Sequence, residues 1–321
     1  MKSNTQSHLQ SNRLDSHIHN HNHNHNHALG HGHAHTKDMS SNRIGWAFFL
    51  NLGFTIIEFI GGWLTNSTAI MSDAVHDLGD TLSIGSAWIL NKLGKKQANS
   101  EFSYGFRRLS LFGALLNGLV LIIGSVWVMT AAIPRLFDPV MPEAQGMLLL
   151  AIFGVSVNGF AAYKLSAGET LNERILNWHL LEDVLGWVAV LIVSIVLLFV
   201  EIPILDPLLS IAFTLFILIN VARNLWTTIK LFAQSSPDAA MFEGIKHALL
   251  DITGVDNLHH LHLWSLDGEA NVMTVHLTLK KALNSEQQQR LKQDIKHKLI
   301  DFKLTHTTIE FEWPDEACRD N

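Results

Sequence analysis

The sequence predicts a membrane α-helical protein of six transmembrane helices, followed by a small α+β domain outside the bilayer. Three observations carry this. Hydrophobic residues make up 48% of the 321 and charged ones only 16%, against roughly 25% charged in an ordinary soluble chain. The mean hydropathy is nonetheless only +0.18, so a strongly apolar part is offset by a strongly polar one. Apolar stretches of about 20 residues, enough to cross ~30 Å of hydrocarbon, recur six times between residues 44 and 233.

Residues 1–43 come first and are polar, with 10 of the 19 His lying before residue 36 in a run interrupted by Asn, Gly and Ala. That composition cannot bury a core and predicts a disordered His-rich tail. It has no apolar h-region, so it does not read as a secretory signal. The spans then read 44–64, 68–90, 109–133, 146–165, 175–200 and 207–229. Connections expected on one side carry Lys92, Lys95, Lys96, Arg107, Arg108, Lys164 and Arg174, while the opposite loops carry only Arg135. The positive-inside rule places both termini in the cytoplasm, at the inner membrane in a bacterium.

Residues 237–316 return to soluble composition. A helix over 237–252 has apolar positions at Phe242, Ile245, Leu249 and Ile252. Strands over 258–266 and 272–280 meet at Asp267-Gly268, a hairpin signal. An amphipathic helix follows over 285–302 with Ser285 as N-cap, then a strand over 306–313. The order α-β-β-α-β predicts a small layered domain, whose edges are free to pair with a second copy.

Composition excludes several classes. One Cys rules out a disulfide framework. A net charge of −6, concentrated as 14 Asp/Glu against 9 Lys/Arg in residues 238–321, argues against nucleic-acid binding.

The chemistry lies in the second and fifth spans. Ser72-Asp73-Ala74-Val75-His76-Asp77-Leu78-Gly79-Asp80 packs four ionisable groups into less than three turns, although each Asp in a bilayer costs at least ~2.5–3.5 kcal/mol. His76 and Asp80, four apart, share one helix face. His179 and Asp183 repeat that spacing in span five. If the faces meet, two imidazoles and two carboxylates form a closed tetrahedral set that suits Zn²⁺ and accepts Co²⁺. The spans so drawn put Asp80 and Asp183 at one depth and the two His on opposite sides of it. A tilt, or an earlier start to span five, is therefore required. Asn51, Asn117 and Asn158 read as interhelical hydrogen-bonding groups, and Glu58 as a packing partner or part of a wet pathway. In the tail, His259, His276, His306 and Glu312 form a second candidate metal cluster, with His306 and Glu312 on one face of their strand.

These residues resemble the cation diffusion facilitator family of zinc and divalent-cation efflux transporters. The likeness runs from about residue 44 to 313. It rests on Asn51, Glu58 and Gly61-Gly62, on residues 72–80, and on Tyr104-Gly105-Phe106-Arg107-Arg108. It continues through His179 and Asp183, Asp206-Pro207, Leu258-His259-His260-Leu261-His262-Leu263-Trp264-Ser265-Leu266 and Thr308-Ile309-Glu310-Phe311-Glu312. The resemblance implies a transport site at His76, Asp80, His179 and Asp183, a cytoplasmic metal site at His259, His276, His306 and Glu312, a homodimer and proton-coupled antiport. Unlike some relatives, the chain has a short loop without His between spans four and five and lacks Asp/His ligands between spans two and three. The amino-terminal His tract is then the expected cytoplasmic capture element.

The leading reading is a secondary transporter that exports Zn²⁺, with Co²⁺ or Cd²⁺ as further cargo, in exchange for protons. A membrane metalloenzyme would keep an open coordination position for water, and no His-Glu-x-x-His occurs. A membrane-bound metal sensor or store would not need buried ligands in six spans.

Overall fold

The computed structural model describes residues 41–93, 98–165 and 171–320, without the side chains of 41–43, 91–92, 164–165 and 171–179. The His-rich tract before residue 36 lies outside the described residues. Long helices follow as α1 (Ser41–Leu64), α2 (Thr68–Leu93), α3 (Leu109–Ala132), α5 (Ala144–Leu165), α6 (Leu171–Phe199) and α7 (Leu205–Phe232), with a four-residue α4 (Pro134–Phe137) between the third and fourth. Five are long and apolar enough to cross a membrane. The sixth, α2, has 26 residues and misses that mark because it carries Asp73, Asp77 and Asp80. The chain is thus a six-helix membrane protein with an α+β domain at its carboxyl end.

Buried α2 packs against α1, α3 and α7 and touches α6. Small residues allow the close approaches. A Cβ on Gly154 of α5 would collide with the fully buried ring of Trp187 on α6, as expected where helices associate through small residues rather than by escape from water. Polar bridges reinforce the packing: Asn51 donates to the Thr81 hydroxyl at 2.9 Å, and Asn117 to the Ser83 hydroxyl at 2.8 Å. Asn158 was expected to do likewise, but its Nδ2 finds no hydrogen-bond acceptor among the described residues.

One carboxylate ties two helix starts together. Asp206, in the first turn of α7, accepts from the Ser67 hydroxyl (2.5 Å), the Thr68 N–H and hydroxyl (2.7 and 2.8 Å) and the Ala69 N–H (3.2 Å). Ser67 meanwhile accepts from the Ile70 N–H and caps α2. Arg135 donates to the Asn66 backbone and side chain at the same end. The α2–α3 connection lies at the other end, where Arg107 stands 3.7 Å from Asp267 of the carboxyl-terminal domain.

That domain contains α8 (Ala239–Leu250), β1 (Val255–Ser265), β2 (Asn271–Leu279), α9 (Ser285–Lys298) and β3 (Leu304–Glu312). Central β2 pairs antiparallel with β1 and parallel with β3. Ile245 and Leu249 of α8 and Leu291 and Ile295 of α9 bury against Val275, Leu277 and Leu279 of β2. The cap of α9 is Asn284 rather than Ser285: its side chain accepts from the Gln287 N–H at 2.9 Å, and Gln287 accepts the Asn284 N–H in return. This reciprocal box stabilises the helix start, and Ser285 becomes its first residue. The helix stops at Lys298 and a short 3₁₀ turn follows at Ile300–Phe302.

Candidate metal sites

In the membrane domain, His76, Asp80 and Asp183 offer ligand atoms that all lie within 4.8 Å of one another. His76 Nε2 stands 3.8 Å from an Asp80 oxygen and 3.7 Å from an Asp183 oxygen. The side chains are 18%, 22% and 12% exposed, so the cluster is shielded but not sealed. α6 starts at Leu171, earlier than the predicted span, and the Asp183 carboxylate comes within reach of both His76 and Asp80. Asp80 stands one turn along α2 from His76, and His179 one turn along the antiparallel α6 from Asp183. His179 is helical, but its side chain lies outside the described residues. Around the cluster, Glu58 of α1 is buried beside Asp77 and Asp73 of α2.

The second cluster forms at the end of the sheet. Glu312 receives His259 Nε2 at 3.1–3.2 Å and His276 Nδ1 at 2.9 Å. Burial pushes the Glu312 carboxyl up, but hydrogen bonds from His276 and Cys318 and the adjacent His259 outweigh it and hold it below the usual glutamate range. A backbone bond from Asp320 favours the Cys318 thiolate, yet burial and the Glu312 carboxylate prevail and push the thiol up.

His306 is not brought into this cluster. It shares a strand face with Glu312, but six residues at ~3.3 Å each put it about 20 Å away. In the register it lies opposite Val272, whereas Glu310 lies opposite His276. Its ring instead packs edge-on against Tyr104, with centroids 5.3 Å apart.

Two family descriptions match the chain: the cation efflux transmembrane domain over residues 46–233, and the cation efflux protein cytoplasmic domain over residues 237–313. The chain belongs to the cation efflux, or cation diffusion facilitator, family. It is 31% identical over 270 residues to a protein of Bacillus velezensis named a cadmium, cobalt and zinc/H(+)-K(+) antiporter, covering 83% of this chain and 86% of that one. A zinc transporter ZitB of Pectobacterium atrosepticum is 30% identical over 89% of both chains. The metal cation efflux system protein CzcD of Cupriavidus metallidurans is 29% identical over 81% of this chain and 82% of its own. This is a family of transporters, not enzymes.

Within this cation efflux chain, sequence reasoning assigned neither Cys318 nor His260 to the tail cluster. Alternation along a strand predicts that His259 and His260 point to opposite faces. A bulge breaks the β1 register between His259 and His262, with His260 at φ +49°. The extra residue restarts the alternation, so the rings of His259, His260 and His276 stand 5.1–5.4 Å apart. The sequence signal for Cys318 is weak: one thiol in a polar tail. Its position follows from the turn after β3, where the Trp313 N–H donates to Glu316 and the Glu316 N–H to the Trp313 carbonyl.

Proposed function

We propose that the protein exports Zn²⁺, with Cd²⁺ and Co²⁺ as further cargo, from the cytoplasm in exchange for protons, and that His76, Asp80, His179 and Asp183 bind the ion in transit. The observation that carries this is the convergence of His76, Asp80 and Asp183 from two antiparallel helices inside a membrane domain. Imidazole binds metal only when neutral and carboxylate only when ionised, so ion and proton compete for the same atoms. The charges of two Asp match a divalent ion, which lowers the cost of holding it away from water. Exposing this site to each side in turn converts the competition into exchange. The names of the Bacillus velezensis and Pectobacterium atrosepticum relatives support zinc and proton coupling.

On this reading the basic loops and both termini face the cytoplasm, the His-rich tail gathers metal there, and two copies associate through their carboxyl-terminal domains in the bacterial inner membrane. The test is ion flux in proteoliposomes under an imposed pH gradient, across Zn²⁺, Cd²⁺, Co²⁺ and Mn²⁺. Asp183→Asn keeps the side-chain volume but removes one charge and one ligand. It is expected to abolish Zn²⁺ flux at equal reconstituted amounts. Wild-type flux with an unchanged pH profile would refute the site.

A further inference from the structure

We propose that Cys318 closes a mononuclear metal site with His259, His276 and Glu312, giving two nitrogens, one oxygen and one sulfur for Zn²⁺ or a softer ion such as Cd²⁺. This inference is independent of the transport reading.

One ligand atom from each of the four side chains lies within 4.8 Å of the other three. Around a tetrahedral zinc, with nitrogen and oxygen at ~2.0–2.1 Å and sulfur at ~2.3 Å, neighbouring ligand atoms sit about 3.3–3.6 Å apart. Here His276 Nδ1 is 2.9 Å from Glu312 Oε1 and 3.5 Å from Cys318 Sγ, and His259 Nε2 is 3.2 Å from the same Glu312 Oε1. These pairs need shifts of only a few tenths of an ångström to admit an ion.

The surroundings orient the ligands. His276 turns its other nitrogen, Nε2, toward carboxylates: Asp320 at 3.5 Å and Glu310 at 3.7 Å. A carboxylate on the far ring nitrogen fixes the tautomer whose lone pair points at the metal. Arg319 in turn holds Glu310 at 2.7 Å. Three consecutive tail residues thus serve one site: Cys318 as ligand, Arg319 and Asp320 as support. Beside it opens a cavity of about 440 Å³ lined by His260, His262, Glu310, Arg319 and Asp320, a route for an ion to enter. A thiolate selects zinc and softer ions over magnesium and calcium. Because Cys318 lies beyond the last strand, the ion would pin the tail to the sheet.

The chain has a single Cys, so any thiol readout reports this position. Alkylation of the full-length protein in detergent would be followed with and without Zn²⁺. Zinc is expected to slow labelling at least about tenfold, since the coordinated sulfur is no longer a free nucleophile. Co²⁺ should add a near-ultraviolet sulfur-to-metal charge-transfer band, absent in Cys318→Ser. The transport site offers no sulfur ligand and the His-rich tail no thiol, its sulfur being only the thioethers of Met1 and Met39, so their occupancy produces neither signal, and failure of one reading is distinguishable from failure of the other. His276→Ala should restore fast alkylation in Zn²⁺. Because His276 is nearly buried, the half-exposed His259→Asn provides a milder variant with the same expectation. Equal alkylation rates with and without Zn²⁺ in the wild type, or protection that survives His259→Asn, would overturn the proposal.

Discussion

Asp206 holds together the ends of two membrane helices, and removing it should cost more than any surface change. Its carboxylate is 1% exposed and accepts two backbone N–H groups and two hydroxyls. In Asp206→Ala the Ser67 and Thr68 hydroxyls can turn to nearby carbonyls. The Thr68 and Ala69 N–H groups, in the first turn of α2, have no carbonyl four residues back to accept them. A buried donor left unsatisfied costs about 1–3 kcal/mol, and the lost acid at the start of α7 adds a few tenths. No longer burying a charge returns part of this. A net loss of about 3 kcal/mol is expected. Asp206→Asn keeps one acceptor oxygen and should lose about half as much. Unfolding in mixed micelles of rising detergent denaturant, followed by Trp fluorescence, measures both. If Asp206→Ala unfolds within ~0.5 kcal/mol of wild type, the bridging argument is wrong.

Two further outcomes concern the carboxyl-terminal domain. Asn284→Ala removes the reciprocal box at the start of α9 and should cost about 1 kcal/mol, read as faster hydrogen exchange in the first turn of α9. The depressed Glu312 carboxyl sets a pH dependence in the metal-free protein. Its stabilisation is complete above the unfolded-state pKa of about 4.3 and is lost as pH falls through the lower folded value. Protection of β2 and β3 from exchange, relative to Glu312→Gln, should therefore hold near neutrality and decline only below that range.

Much of the fold was legible because a bilayer imposes a single coarse requirement. Apolar length located five helices outright and α2 in spite of its three Asp, with ends displaced by only a few residues: α6 begins at Leu171 rather than 175 and α7 at Leu205 rather than 207. The His-x-x-x-Asp spacing pointed to His76, Asp80 and Asp183, which the structure brings together, because charges in hydrocarbon have few alternative explanations; the His179 side chain lies outside the described residues. The errors arose where position depends on register rather than composition. The span depths put Asp80 and Asp183 at one level, and their ligand atoms do lie within 4.8 Å of each other, but depth alone did not bring His76 to 3.7 Å from Asp183. His306 was placed by face alone, and face says nothing about distance along a strand. His260 went unassigned because a bulge is invisible to an alternation rule.

The two clusters also differ in a way that fits their proposed roles. His76, Asp80 and Asp183 stand apart, with nitrogen–oxygen separations of 3.7–3.8 Å and 12–22% of each side chain exposed. His276 and Glu312, the inner half of the tail set, are drawn to 2.9 Å with 9% and 5% exposed, and His259, at 33%, reaches further toward solvent. An ion that must leave on every cycle is best held by ligands that water and protons can reach, because release requires both. An ion that remains is best held by ligands already preorganised by second partners, as His276 is by Asp320 and Glu310. Chelation should therefore empty the membrane cluster quickly and the tail cluster slowly. Competition with a zinc chelator, with Cys318 alkylation reporting one site and flux the other, measures that order directly. Loss of thiol protection before loss of transported ion would reverse the assignment of cargo and resident.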